Sequence, residues 1–507
     1  MLDVIWSSLG EAVSPMSLFM LFIGVVIGFF VGILPGLGGA VTLALLIPVT
    51  FGMDPVPAFS LLLGMYVVSA IAGDFTSILF GIPGEPTAAA MVLDGYPLNK
   101  MGQAGRALGA SLSSSAIGSI FGAFLLMALI PVMRPLIMGI SAPELFAAAM
   151  LGLTFIASLS GGSIHKGLVM ATIGVLISLV GIDPNLGIER YTFGSLHLWE
   201  GIGIVPVVVG LLGGAEVLQS MLDKSGHTKT AVAPHLGGIL VGVKDSFRHW
   251  WLMLRSSAIG AVLGMLPGLG GSVSQFIAYG HAKQTSKHPE EFGNGSIEGV
   301  IAAGATTTAK DGGHLVPTIA FGVPSGASMA VLLGAFLILG LNPGPEMLGK
   351  NLHITLSLVW IIVLSTIAAV ILGYLLIRPL ARLTSVTGRL LVPFLVAMLT
   401  IGAFSNTSSL DDVWIMLVFL AIGVLCSRFK WPRIPLLLGL VLGEILERYF
   451  TVSYALFQFS WISRPGVMVI EVIIAGMILF TAIRIARKKR DAKRDAKREL
   501  LTIGGHP

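Results

Sequence analysis

Charged side chains are scarce in this 507-residue chain. Asp, Glu, Lys and Arg make up 11% of the residues and hydrophobic residues 55%, and the mean hydropathy is +0.91. Soluble domains carry about 25% charged residues, so this composition excludes an ordinary soluble protein. Apolar runs of about 20 residues, the length needed to cross a bilayer, instead predict an all-α polytopic membrane protein.

Cysteine and recognisable catalytic motifs are also lacking. Cys426 is the single cysteine, which excludes an intramolecular disulfide and a cysteine metal cluster. The chain has no His-Glu-x-x-His, no Gly-x-Ser-x-Gly elbow and no Walker A motif. We therefore expect a secondary transporter rather than an enzyme, and no cofactor.

Positive charge is concentrated at the C-terminus. The net charge is +5, and the first lysine is Lys100, so the N-terminus does not resemble a cleaved signal peptide. The basic tail predicts a cytoplasmic end, with binding to anionic membrane lipid as the sharper alternative, and no nucleic-acid partner. Its cations are Arg484, Arg487, Lys488, Lys489, Arg490, Lys493, Arg494, Lys497 and Arg498.

Glycine-rich sequence stands where helices should be continuous. The octapeptide Gly-Ile-Leu-Pro-Gly-Leu-Gly-Gly at 32–39 returns with one change at 264–271, 232 residues later. Broken helices at membrane depth are tolerated where protein or a polar cavity receives the freed backbone groups. Two breaks in matching places predict a transport site. The alternative is a pair of ordinary spans with proline kinks and glycines that allow close packing.

Further matches extend this repeat. Phe80-Gly81-Ile82-Pro83 matches Phe321-Gly322-Val323-Pro324 at a spacing of 241, and Arg134-Pro135-Leu136 matches Arg378-Pro379-Leu380 at 244. We predict two membrane repeats and roughly 10–12 membrane segments in all. The predicted units are a first repeat at 15–222, a connecting segment at 223–255, a second repeat at 256–450, an extra helix at 466–487 and a tail at 488–507.

The positive-inside rule then orients the chain. It places the segment 223–255 and the tail in the cytoplasm and the N-terminus outside. Counting spans back from these loops puts Arg134 outside and Arg378 inside, which predicts that the repeats are inverted. If so, 267–271 forms the tip of a re-entrant hairpin from the cytoplasm and 35–39 the tip of one from outside.

The two breaks and the segments after them supply the predicted binding residues. Pro removes a backbone donor and Gly permits unusual conformations, which leaves N–H and C=O groups for an anion or a cation. Small hydroxyls nearby can bind a carboxylate or Na⁺. The predicted substrate- and ion-binding residues are Pro35, Gly36, Gly38, Gly39, Thr76, Ser77, Pro83, Gly84, Pro267, Gly268, Gly270, Gly271, Thr307, Thr308, Lys310, Pro324 and Ser325.

Ionisable residues within membrane segments are further candidates. Lys310 would attract an anion, or would neutralise an acid such as Asp74 structurally. Because Lys310 and Asp311 are adjacent on a helix, we expect their side chains to diverge. Glu85 and His314 are also candidates, although a lone histidine is more often a packed residue. Asp94 is expected to cap a helix in a water-facing loop.

Taken together, these motifs resemble the large permease subunit of tripartite tricarboxylate transporters. The matching stretches are Gly32–Gly39, Gly81–Pro83, Asp94–Pro97, Pro267–Gly271, Ser286-Lys287, Glu298–Val300, Gly312-Gly313, Pro317, Gly322–Pro324 and Pro343–Pro345. The chain departs from the family's usual lining at Ile71–Asp74 and Gly304–Asp311.

This resemblance implies import of a small organic anion across the cytoplasmic membrane of a prokaryote, coupled to a Na⁺ or proton gradient. It also implies two partners, a small membrane subunit and a periplasmic solute-binding protein. The alternative function is a stand-alone anion channel or exporter.

Overall fold

The computed structural model describes a chain built almost wholly of helices. It covers residues 2–33, 38–81, 83–138, 141–159, 164–183, 187–215, 218, 237–266, 270–383, 392–404, 407 and 409–476. Within these ranges the only strands are β1 (Gly181–Ile182) and β2 (Glu189–Arg190), which pair antiparallel. The predicted all-α polytopic fold is therefore confirmed.

The helices of the first half follow the apolar runs of the sequence. They are α1 (Leu2–Ala12), α2 (Pro15–Ile33), α3 (Gly39–Leu46), α4 (Pro55–Phe80), α5 (Met91–Lys100), α6 (Ala104–Met138), α7 (Ala142–Leu159), α8 (Ile164–Ser178) and α9 (Ile204–Val208), which continues as a π-helical turn over Val209–Gly214.

The second half begins with a short amphipathic helix. The helices are α10 (Ile239–Arg248), α11 (Trp250–Gly264), α12 (Gly270–Thr285), α13 (Ile297–Phe321), α14 (Ala327–Ile338), α15 (Pro345–Leu348), α16 (Leu352–Leu383), α17 (Val392–Phe404), α18 (Leu410–Arg428), α19 (Ile434–Phe457) and α20 (Pro465–Gly476). The predicted extra helix is described to Gly476, and the tail at 488–507 lies outside the described residues.

Helix length and composition mark this as a multi-pass membrane protein. Five described helices are long and apolar enough to cross a membrane, namely α2, α4, most of α6, most of α16 and α18. Six shorter apolar helices of 10–17 residues accompany them in the described chain.

The helices α4 and α13 form the centre of the molecule. The apolar window of α4 is completely buried, and α13 is buried from Gly299 to Ala320. Helix α2 packs on α4, and α11 packs on α13. Helix α6 of the first half packs on α13, while α16 of the second half packs on α4. The two halves are therefore interlocked through these crossed contacts.

Glycines allow the closest of these approaches. A Cβ atom at Gly28 of α2 would lie 2.6 Å from the Met65 carbonyl oxygen of α4. A Cβ atom at Gly264 of α11 would lie 2.6 Å from the Lys310 carbonyl oxygen of α13. Small residues at such contacts bring backbones together where lipid offers no hydrophobic driving force for association.

A short hairpin closes one end of the first half. It contains β1 and β2, and Arg190 donates from its two terminal nitrogens to Glu447 of α19 at 2.6 and 3.1 Å. Asp183 lies 3.3 Å from the same guanidinium. The Glu447 hydrogen bond raises the pKa of Arg190, so the guanidinium keeps its positive charge.

Candidate functional site

The first break separates α2 from α3. Helix α2 ends at Ile33 and α3 begins at Gly39, and the predicted site residues Pro35 and Gly36 lie outside the described residues. Gly38 has extended backbone with φ −71° and ψ 160°, and a Cβ atom there would meet no described atom within 4 Å. Gly39 starts α3 with its N–H facing away from any intrahelical acceptor.

Glu85 satisfies the free end of α3. Its Oε1 accepts from the Gly39 N–H at 2.7 Å and from the Ser69 hydroxyl at 2.8 Å. Thr87 donates to Oε2 at 3.1 Å. The carboxylate is buried and lies at the positive end of the helix, which stabilises a negative charge. Glu85 was not among the predicted binding residues. The signal that could have placed it there is its position as an ionisable residue in an apolar, proline- and glycine-interrupted segment.

The second break separates α11 from α12. Helix α11 ends at Gly264 and α12 begins at Gly270, with Gly271 next in the helix. The predicted residues Pro267 and Gly268 lie outside the described residues. Whether either break forms a re-entrant hairpin stays a prediction, since both tips fall in these ranges.

Gln275 connects the second break to the first half. Its side-chain nitrogen donates to the Thr307 hydroxyl at 2.7 Å, and its side-chain oxygen accepts from the Ala90 N–H at 2.8 Å. Gln275 is fully buried, so both bonds form away from water. Nothing in the local sequence distinguished this glutamine, because its partners lie 32 and 185 residues away.

The two central helices end alike. Helix α4 stops at Gly81 with φ 66° and ψ 23°, and α13 stops at Gly322 with φ 66° and ψ 22°. Both are left-handed positions that favour glycine and terminate a helix. After them, Pro83 is exposed and Gly84 buried, whereas Pro324 and Ser325 are both buried. Ser325 donates to the His314 carbonyl at 3.5 Å.

The predicted hydroxyls bond to backbone carbonyls. Thr76 donates to Gly73 at 2.9 Å, and Ser77 reaches both Gly73 and Ala88. Thr307 donates to Ala303 and Thr308 to Ser115. A hydroxyl that donates in this way keeps lone pairs for a cation. A role in binding stays a prediction for these four residues.

Lys310 and Asp311 form an ion pair, so the prediction that their side chains diverge is wrong. Lys310 Nζ lies 2.7 Å from Asp311 Oδ1, and both residues are buried. Among the described residues Asp311 is the only carboxylate within ion-pair distance of Lys310. Nζ also lies 5.7 Å from the centre of the Tyr66 ring on α4, a favourable distance for a cation and an aromatic face.

Several buried polar atoms around this pair have no hydrogen-bond partner among the described residues. They are Oδ2 of Asp311, Oδ1 of Asp74 and Nδ1 of His314. The other oxygen of Asp74 accepts from Ser111 of α6 at 3.0 Å. His314 is thus buried, as the packed alternative predicted, but its ring nitrogen is unsatisfied. Buried polar atoms without a partner are costly.

Asp94 joins the two halves, so the prediction that it sits in a water-facing loop is wrong. Its carboxylate is 1% exposed. Oδ1 accepts from the N–H groups of Gly293, Gly295 and Ser296 at 2.8–2.9 Å, and Oδ2 accepts from the Tyr279 hydroxyl at 2.8 Å. Helix α5 is thereby tied to the segment before α13.

Comparison with known proteins identifies the family. The model of the tripartite tricarboxylate transporter TctA family matches residues 18–438. An uncharacterized 52.8 kDa protein in the TAR-I ttuC' 3' region of Agrobacterium vitis is 34% identical over 456 residues, covering 89% of this chain and 90% of the relative.

A second Agrobacterium vitis protein, from the TAR-II ttuC' 3' region, is 32% identical over 190 residues. That match covers 38% of this chain and 78% of the relative. No solved structure matches the chain. The family match spans both helix breaks and both central helices, so the chain belongs to the tripartite tricarboxylate transporter TctA family.

Proposed function

We propose that this protein is the large membrane subunit of a secondary active transporter that imports a small di- or tricarboxylate-like anion. The observation that carries the proposal is the buried polar centre formed by α4, α13 and the segment after α4. This centre contains four ionisable residues at 4% exposure or less, and such residues are costly in a membrane protein unless they serve a function. They are Glu85, Lys310, Asp311 and Asp74. Membership of the family supports the same conclusion.

In this proposal the two breaks hold the substrate and the coupling ion. The backbone at 35–39 and 267–271 supplies N–H and C=O groups, and Lys310 supplies the positive charge. The hydroxyls come from Thr76, Ser77, Thr307, Thr308 and Ser325. The contact between the Glu85 carboxylate and the N-terminus of α3 is an example of the interaction proposed for the carboxylate of the substrate. The coupling ion is Na⁺ or a proton.

Inverted repeats would provide alternating access. Matching glycine contacts support two repeats. Gly28 and Gly32 of α2 approach the carbonyls of Met65 and Ser69, and Gly260 and Gly264 of α11 approach those of Thr306 and Lys310. Each glycine of α11 follows its counterpart in α2 by 232 residues. Each contacted residue of α13 follows its counterpart in α4 by 241 residues.

The test of transport is uptake into proteoliposomes. The purified protein, with its small membrane subunit, is reconstituted and given labelled citrate or succinate together with a ligand-loaded binding protein encoded beside it. Accumulation above equilibrium only under an imposed Na⁺ or proton gradient supports a coupled importer. Flux of the anion down its own concentration gradient, without a Na⁺ or proton gradient and without either partner protein, would instead support the stand-alone channel.

The test of orientation is cysteine labelling in the cytoplasmic membrane of a bacterium. The buried Cys426 is first replaced by Ser, and Arg134→Cys and Arg378→Cys are introduced separately. We expect a membrane-impermeant maleimide to reach residue 134 from outside and residue 378 from the cytoplasm. Labelling of both from one side would refute the inversion.

A further inference from the structure

Asp74 is the least compensated carboxyl group of the buried centre. It lies on α4 with 0% exposure. Its Oδ2 accepts one hydrogen bond, from Ser111 at 3.0 Å, and its Oδ1 has no described partner. No cation lies within ion-pair distance of it among the described residues, whereas Asp311 is paired with Lys310.

The surroundings of Asp74 offer no spare positive charge. Helices α2 and α3, which pack on α4, contain no charged residue. On α5, Asp94 is bonded to the segment before α13 and the Lys100 ammonium lies over the Tyr96 ring. Arg106 of α6 is paired with Asp245. From α13 the charge of Lys310 acts on the Asp74 carboxyl, but that ammonium is in contact with Asp311. From the segment after α4 the Glu85 carboxylate acts on it with the opposite sign. Helix α6 presents the hydroxyls of Ser111 and Ser115.

The other two carboxyl groups of the centre have more compensating partners. Glu85 accepts three hydrogen bonds, one of them from a helix N-terminus. Asp311 faces an ammonium at 2.7 Å. A buried carboxylate with one hydrogen bond and no counter-ion is much more costly than its neutral acid. A bound proton is the simplest way to remove the charge.

We infer that Asp74 binds a proton in this conformation and is the group through which a proton gradient acts on transport. The proton-binding part stands on the geometry of Asp74 alone, and the coupling part rests on the proposed function. Transport would require a second conformation in which Asp74 meets water, releases its proton and is loaded again from the other side. The proton forms an O–H bond with the carboxylate on loading and is transferred to water on release.

Infrared difference spectroscopy tests the bound proton directly. The full chain in lipid nanodiscs at neutral pH is measured as wild type and as Asp74→Asn. We expect the wild-type spectrum to contain a carbonyl band of a protonated carboxylic acid that shifts in D₂O and is lost in the variant. A flat difference spectrum in this region would overturn the inference. Asp74→Ser serves as a second variant if Asp74→Asn does not insert.

Glu85→Gln is the matched control, since it also converts one buried carboxyl to an amide. The protonated-acid band should persist in this variant, because the carboxyl group of Asp74 is unchanged. Loss of the band in Glu85→Gln and its retention in Asp74→Asn would assign the proton to Glu85 and refute the inference.

Proteoliposome uptake separates this inference from the proposed function. Asp74→Asn should lose pH-gradient-driven accumulation of labelled citrate or succinate while retaining exchange of the same anion across the membrane. Na⁺-driven accumulation with a flat difference spectrum would leave the importer standing and refute the proton at Asp74. If the band is lost in Asp74→Asn but wild type shows no gradient-dependent uptake of either anion, the bound proton is supported and the importer is refuted.

Discussion

At the scale of single residues, the carboxylate of Glu85 explains how a broken helix remains stable inside the protein. The N–H group of Gly39, the first residue of α3, has no intrahelical acceptor, and in a buried membrane segment water does not replace one. Glu85 supplies that acceptor to Gly39 and is itself held by Ser69 and Thr87. The break is therefore an organised polar site.

Replacement of Glu85 by Ala should destabilise the protein. The change leaves the Gly39 N–H and the Ser69 hydroxyl without their buried acceptor, and loss of such charged hydrogen bonds costs about 2 kcal/mol or more. The melting temperature in detergent should fall clearly. Thr87→Val, which removes only the partly buried 3.1 Å bond, should have a smaller effect. Equal melting temperatures for Glu85→Ala and wild type would contradict this role.

Gly38→Val should abolish uptake without loss of folding. The extended backbone of Gly38 is accessible to valine, and no described atom would lie within 4 Å of the added Cβ. The branched side chain would, however, screen the backbone groups of the break from a ligand. Uptake and membrane insertion are measured together, with Gly270→Val as the equivalent change in the second half. Wild-type uptake in both variants would rule out the breaks as the site.

At the scale of elements, glycine ridges decide how the outer helices meet the central pair. Gly24, Gly28 and Gly32 stand on one face of α2 and approach successive carbonyls of α4. Gly260 and Gly264 do the same between α11 and α13. Because each ridge runs to the last turn before a break, the packing also fixes where the broken ends lie.

Gly28→Ala should weaken the contact between α2 and α4. The added Cβ would lie 2.6 Å from the Met65 carbonyl oxygen and 2.9 Å from the Val68 Cβ, so the helices must separate. A fall in melting temperature is expected. Gly10→Ala in α1 is the control, since its Cβ would meet nothing within 4 Å. There the better helix propensity of Ala should raise stability by up to about 1 kcal/mol. The opposite ranking of the two variants would refute the ridge.

At the scale of the whole molecule, Asp94 connects the halves. It stands on α5 in the first half and accepts three backbone N–H groups and one tyrosine hydroxyl from the second. The crossed packing of α6 on α13 and α16 on α4 provides a second connection. Movement of one half against the other must act on both.

Asp94→Asn should loosen this joint. The amide removes the negative charge, so the three backbone N–H bonds to residue 94 weaken, and the Tyr279 hydroxyl must turn from donor to acceptor to keep its bond. The melting temperature should fall, and hydrogen exchange should increase in residues 293–296. Asp54→Asn, at an exposed helix start without a side-chain cap bond, is the control and should change neither. Unchanged exchange at 293–296 in Asp94→Asn would contradict the joint.

Local sequence predicted much of the fold. The apolar runs indicated helices, and the octapeptide and the Phe-Gly-x-Pro matches marked the ends of α2, α4, α11 and α13 within a residue or two. These signals are local, because a glycine or proline disrupts a helix wherever the chain carries it. The candidate status of Lys310, Asp74 and Glu85 was equally visible, since a charge in an apolar run is conspicuous in any fold.

The partners of those residues were decided by tertiary structure. Asp94 and Gly293 are 199 residues apart, Gln275 and Ala90 are 185 apart, and no periodicity connects either pair. Lys310 pairs with its neighbour Asp311 and not with Asp74 or Glu85 of the same buried centre. The sequence by itself thus determined that this is a membrane protein with two interrupted helices. Which buried groups neutralise one another, and which is left uncompensated, depends on how the halves pack, since both electrostatic and hydrogen-bond energies fall off steeply with distance.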